Sequence, residues 1–161
     1  MGILGTLKEK LGGAQKPLRM TALTSVHDIL DSPQFFNAIM VQAKSEFSPE
    51  NPAFLMAVKH FRALRHGANY FQVPAQAIAE KGWIPPQYRG SEKTMGIYLY
   101  DTFIRKGCTH EVNISDASLK KLETIWKSPG TPFTMGDFEE AFNEVAGVMK
   151  RDTQKRAVEA G

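Results

Sequence analysis

Apolar positions along this chain recur mostly at intervals of three and four, the period of a helix with one face turned inward. Ser32 followed by Pro33 reads as an N-cap and a residue suited to the first helical position. Behind it Phe36, Ile39, Met40 and Ala43 make one apolar stripe. Ser48-Pro49 and Asn51-Pro52 are expected to break that helix and to open the next, whose stripe is Phe54, Ala57, Val58, Phe61 and Leu64, with Gly67 as its stop. Ser91 caps a further helix bearing Met95, Tyr98, Leu99, Thr102 and Phe103, which ends at Gly107. After a loop over 108–114, Ser115 caps a helix with Leu119, Leu122 and Trp126, terminated by Pro129-Gly130. Thr134-x-x-Asp137 has the form of a capping box. It opens a helix with Phe138, Ala141, Phe142, Val145, Val148 and Met149 on its inner side. No run alternates with period two. The expected fold class is all-α, a single-domain helical bundle.

Two stretches depart from this pattern. Pro74, Pro85 and Pro86, with Gly82 and Gly90, punctuate residues 68–90, which read as a short helix near 75–81 between extended loops. Its Trp83, Ile84 and Tyr88 either cover core or form a second surface. Residues 12–18 (GGAQKPL) read as a joint. The division is therefore an amphipathic, basic segment over 1–19 and a helical domain over 20–161 that carries the 68–90 insertion. The leading Met1-Gly2-Ile3-Leu4-Gly5-Thr6 fits the myristoylation pattern, which makes Gly2 a lipidation candidate. Ile3, Leu4, Leu7 and Leu11 face lysines, as in a helix lying on a membrane. The alternative is a first helix of the bundle.

Composition narrows the class. Among 161 residues, 42% are hydrophobic and 23% charged, the balance of a globular domain. The net charge of +3 gathers in the first twenty residues, where Lys8, Lys10, Lys16 and Arg19 outnumber Glu9. The near-neutral remainder suits a protein partner better than a nucleic acid. No stretch approaches the ~20 apolar residues that a membrane span needs, and the leader lacks the long apolar core of a secretory signal. Cys108 is the only cysteine, so no internal disulfide is possible, and a reducing, cytoplasmic setting is expected.

Catalytic signatures are missing: no phosphate-binding Gly-Lys-Ser/Thr loop, dinucleotide fingerprint, His-Glu-x-x-His or Cys-x-x-Cys. His27, His60, His66 and His110 include no pair at i, i+4, the spacing that would set two ligands on one helical face. Cys108 and His110 lie two residues apart, a poor geometry for a thiol and its base. Neither a metal nor a cofactor is expected.

Three polar segments sit where a plain bundle has no need of them: Glu46-Phe47-Ser48-Pro49-Glu50-Asn51, Glu111-Val112-Asn113, and Met149 to Arg156. Each singly reads as caps, helix-dipole partners and a solvated face. Together they carry a resemblance. The stretch Ser45 to Leu55 (SEFSPENPAFL), the stretch Ile97 to Asn113 (IYLYDTFIRKGCTHEVN) and the closing Phe138 to Arg156 resemble, in order, three landmarks of the regulator-of-G-protein-signalling (RGS) family. The likeness runs from about Ser25 to Arg156.

The resemblance implies about nine helices in two subdomains and one face that grips the switch regions of a GTP-bound Gα subunit. The implied contact set is Glu46, Phe47, Glu50, Asn51, Asn113, Val148, Asp152, Thr153 and Arg156, with Arg156 expected to hold the Asp152 carboxylate. The implied activity is acceleration of GTP hydrolysis without an active site of its own. A scaffold of the same fold without that activity is the alternative. Leu55 stands where most members have tryptophan, Val148 where leucine is usual, Thr153 where serine is usual, and the 68–90 insertion lengthens a family connection.

Overall fold

A computed structural model describes residues 19–66, 92–130 and 132–160. Gly2, the stripe at 3–11, the joint at 12–18, the stop at Gly67, the insertion at 68–90 and the Ser91 cap lie outside them.

Ten helical pieces join into six continuous helices among the described residues, and no strand occurs among them. They are α1 (Val26–Asp31), α2 (Pro33–Ser45), α3 (Glu50–His66), α4 (Glu92–Leu99, continued by Tyr100–Ile104), α5 (Asp116–Trp126) and α6. The last runs through Met135–Phe138, Glu139–Val148, Met149–Gln154 and Lys155–Ala160.

Local signals set most of the starts. The Ser32 hydroxyl accepts from the Phe35 N–H at 3.2 Å, with Pro33 at the head of α2. The Ser115 hydroxyl accepts from the Ser118 N–H at 3.3 Å at the head of α5. Asp137 reaches back to the Thr134 N–H at 2.7 Å as part of the expected capping box. Helix α1, which the apolar spacing did not single out, is a short turn capped by Ser25.

One expectation needs correcting. Neither proline pair ends α2. The Phe47 N–H bonds to Lys44 O at 3.2 Å and the Ser48 N–H to Ala43 O at 2.8 Å, which is a Schellman closure. Pro52 does not break α3 either. It falls in the first helical turn, where a missing N–H costs no intrahelical bond.

Helix α3 is the axis of the bundle, packed against α1, α2, α4 and α6. Every residue from Pro52 to Val58 is buried, so this segment is apolar all round rather than striped. Leu55, at the position where the family favours tryptophan, is fully buried. Phe54 meets Phe103 edge-on at 5.4 Å, and Phe61 meets Phe138 at 5.9 Å. Each such ring contributes about 1.5–3 kcal/mol through burial. Phe133 reaches α4 only because Gly96 has no side chain: a Cβ there would stand 2.6 Å from the Phe133 Cβ.

Two stretches of helix widen by one residue per turn, Tyr100–Ile104 and Met149–Gln154. The first closes with the Arg105 N–H on Tyr100 O at 2.8 Å. The second turns Met149, Thr153 and Gln154 inward together. Such widened turns recur at functional positions.

Candidate functional site

The turn after α2 and the end of α6 meet. Glu46 is the centre of that junction, with only 14% of its side chain exposed. One carboxylate oxygen accepts from Arg156 Nη1 at 2.5 Å and from Gln42 Nε2 at 3.3 Å. The other accepts from the Thr153 hydroxyl at 3.0 Å. Burial alone would raise the Glu46 carboxyl, but these donors outweigh it and hold it below the ordinary carboxylate value. The same contact raises Arg156 above its usual value. Residues 107 and 110 positions apart in sequence are thereby joined.

Arg156 therefore does not hold Asp152 as expected. Its guanidinium closes on Glu46, and Asp152 lies 3.9 Å from Arg151 Nε, half-exposed. Charge geometry explains the choice. Glu46 is nearly buried and already has hydroxyl and amide donors, so a cation there relieves desolvation, whereas exposed Asp152 is served by water.

Phe47 protrudes from this turn with 91% of its surface exposed and a backbone φ of 59°. A left-handed conformation costs a residue with a Cβ about 1–2 kcal/mol, and glycine is the usual occupant of this closure. Glu50 and Asn51 follow at the head of α3, both half-buried.

The second segment is anchored separately. The Val112 N–H bonds to Phe103 O at 2.9 Å, and buried Val112 packs into the core. Two residues past Asn113, the Ser115 N–H donates to Glu144 Oε1 of α6 at 2.7 Å, and the Ser118 hydroxyl donates to the other oxygen of that carboxylate. Burial would raise Glu144, but Ser118, the Ser115 N–H and the Ser115 hydroxyl hold it below the ordinary value. Asn113 itself is exposed between these two pins. Phe103, which holds Val112, has its ring against Phe54, one turn into α3 from Glu50 and Asn51. This is how the loop is related to the first segment; the Glu46 cluster does not extend to it.

Of the predicted set, Glu46, Thr153 and Arg156 are thus brought into direct contact. Phe47, Glu50 and Asn51 flank them in sequence. Val148 is half-buried on α6, and Asn113 is held through its neighbours. Sequence reasoning missed Glu144 and Gln154. Glu144 stands between Phe142 and Val145 on the apolar side of α6, with no cation at 140, 141, 147 or 148 to pair it, and that was the available signal. Gln154, fully buried, donates to Thr21 O and Thr24 O at 2.9 Å each, fastening the start of the domain to α6.

Other chemistry is sparse. Among the described residues no group of three or more His, Cys, Asp or Glu is placed to hold a metal ion. Burial pushes the Cys108 thiol up, more than the His110 backbone bond lowers it. Among the described residues no helix is long and apolar enough to cross a membrane. The sequence matches no protein-family model and no curated protein.

Proposed function

We propose that the chain is a GTPase-activating protein of the RGS type, which binds the switch regions of a GTP-bound Gα subunit. The observation that carries this is the junction of the turn at 46–51 with the end of α6 through Glu46, Thr153 and Arg156. It makes one surface from two of the three segments on which the family resemblance rests. The exposed Phe47 and the loop pinned on both sides of Asn113 support it.

Under this reading the fold has about nine helices in two subdomains. A Gα subunit already carries its arginine finger and the glutamine that orients water. What the partner adds is preference for the switch arrangement of the transition state. Phe47 supplies apolar area, Glu50 and Asp152 accept from switch amides or hydroxyls, and Asn113 offers an amide that donates and accepts. A thousandfold acceleration requires about 4 kcal/mol of differential binding. The chain supplies no reacting group, cofactor or metal. A cytoplasmic location with the N-terminus touching the membrane through Gly2 belongs to the same proposal.

A second reading is a scaffold of the same fold without activating ability. It is favoured by one observation: Glu46, Thr153 and Arg156 use their polar atoms on one another. Single-turnover GTP hydrolysis by purified Gα decides. The activator reading expects strong acceleration that Asn113→Ala weakens without abolishing, and tighter binding to Gα loaded with GDP and aluminium fluoride than with GDP. No acceleration by saturating wild-type protein overturns it and leaves the scaffold.

A further inference from the structure

The loop that presents Asn113 runs from α4 to α5, and α6 holds it at its end. Glu144, half-buried on α6, directs one oxygen at the Ser115 N–H at 2.7 Å and the other at the Ser118 hydroxyl. Ser118 is 4% exposed, so without Glu144 its hydroxyl would lose its partner inside the protein. The carboxylate also stands at the N-terminus of an eleven-residue helix, where backbone dipoles favour a negative group. On the other side of Asn113, Val112 is fixed to Phe103 O. Asn113 thus has one pin directly before it and another two residues after it, and the second belongs to the helix that carries Asp152, Thr153 and Arg156.

We propose that Glu144 is a positioning residue that sets Asn113 relative to the end of α6. This rests on the activator reading for its functional consequence. Glu144 touches no partner. It fixes the loop start of α5 against α6, so that the amide of Asn113 and the acceptors of the third segment present a constant spacing to one bound surface. A carboxylate is suited to this because its two oxygens serve a backbone N–H and a hydroxyl together, which an amide does with only one.

The test uses the whole chain in two arms. In the first, amide hydrogen exchange compares wild type with Glu144→Ala and Glu144→Gln. The expected result is lost protection at Ser115 and Ser118 in Glu144→Ala, partial recovery in Glu144→Gln, and unchanged protection in the core of α3, which also reports that the variant is folded. Unchanged exchange at Ser115 overturns the proposal whatever the activity. In the second arm, Glu144→Ala is combined with Asn113→Ala in single-turnover GTP hydrolysis on Gα. Glu144→Ala alone is expected to reduce acceleration about tenfold and to add nothing in the Asn113→Ala background, as coupled positions do. Equal losses in both backgrounds overturn the positioning role while leaving the activator reading intact. A wild-type chain that accelerates nothing removes the activator reading instead, and the exchange arm alone then judges whether Glu144 fixes the loop.

Discussion

Glu46 and Glu144 each fasten a loop to α6, but Glu46 works from the loop toward the helix and Glu144 from the helix toward the loop. Their partners differ. Glu46 meets a cation whose side chain is 57% exposed, plus a hydroxyl and an amide. Among the described residues Glu144 meets no cation; it meets the backbone N–H and hydroxyl of Ser115 at a helix start and the buried hydroxyl of Ser118. The difference teaches where the energy lies. An ion pair whose cation stays largely in solvent gains little over solvated charges. A buried donor that loses its acceptor costs its full desolvation.

Removal of each glutamate should rank them. Glu144→Ala leaves the Ser115 N–H and the Ser118 hydroxyl unanswered, and the thermal midpoint should fall by about 5 °C for a chain of this size. Glu46→Ala loses an ion pair whose arginine stands largely in solvent and a part-buried hydroxyl bond, and the midpoint should fall by about 2–3 °C. Calorimetry on the two variants checks the order, and a larger loss for Glu46→Ala would reverse the comparison.

Acid should strike both junctions. Each carboxyl is held below its ordinary value of 4.5 in the folded chain. A depressed folded value gives stability that is present above 4.5 and lost as pH falls through the folded value. Denaturation midpoints measured from pH 6 to pH 3 should drop more steeply for wild type than for a Glu46→Gln, Glu144→Gln double variant. Salt separates the two sites: 1 M sodium chloride should shrink the effect of Glu46→Ala and leave that of Glu144→Ala nearly unchanged.

The smallest effect sharpens the contrast between stability and contact. Phe47→Gly removes a ring that covers nothing and relieves a left-handed φ, so the midpoint should rise by about 2 °C. Binding to Gα should weaken in the same variant. A stable variant that binds as well as wild type would detach Phe47 from the proposed surface.

What the sequence disclosed was chiefly local. Ser32, Ser115 and Thr134 announced helix starts because a cap acts within three residues. The stripes on α2 and α6 were legible for the same reason. The all-round burial of Pro52 to Val58 was not, because spacing shows an amphipathic face and not how many neighbours surround it. The end of α2 was misplaced because Phe47 occupies a conformation that composition assigns to glycine. The resemblance points to Glu46, Thr153 and Arg156 but pairs Arg156 with Asp152, because only the fold shows which carboxylate is desolvated. Glu144 escaped because its donors lie 26 and 29 residues away, beyond any helical period.

The broadened turn at Met149–Gln154 has a consequence for how this chain tolerates length changes. Neighbouring Thr153 and Gln154 both face inward there, one holding the 46–51 turn and the other the carbonyls of Thr21 and Thr24. Deleting a single residue from the ordinary turns that lead into it, Glu139–Val148, would rotate all that follows by about 100°. Arg156 would swing away from Glu46, and the segment at Thr21–Thr24 would lose its fastening in the same step. An indel-free α6 is thus a condition for both ends of the chain to stay in phase.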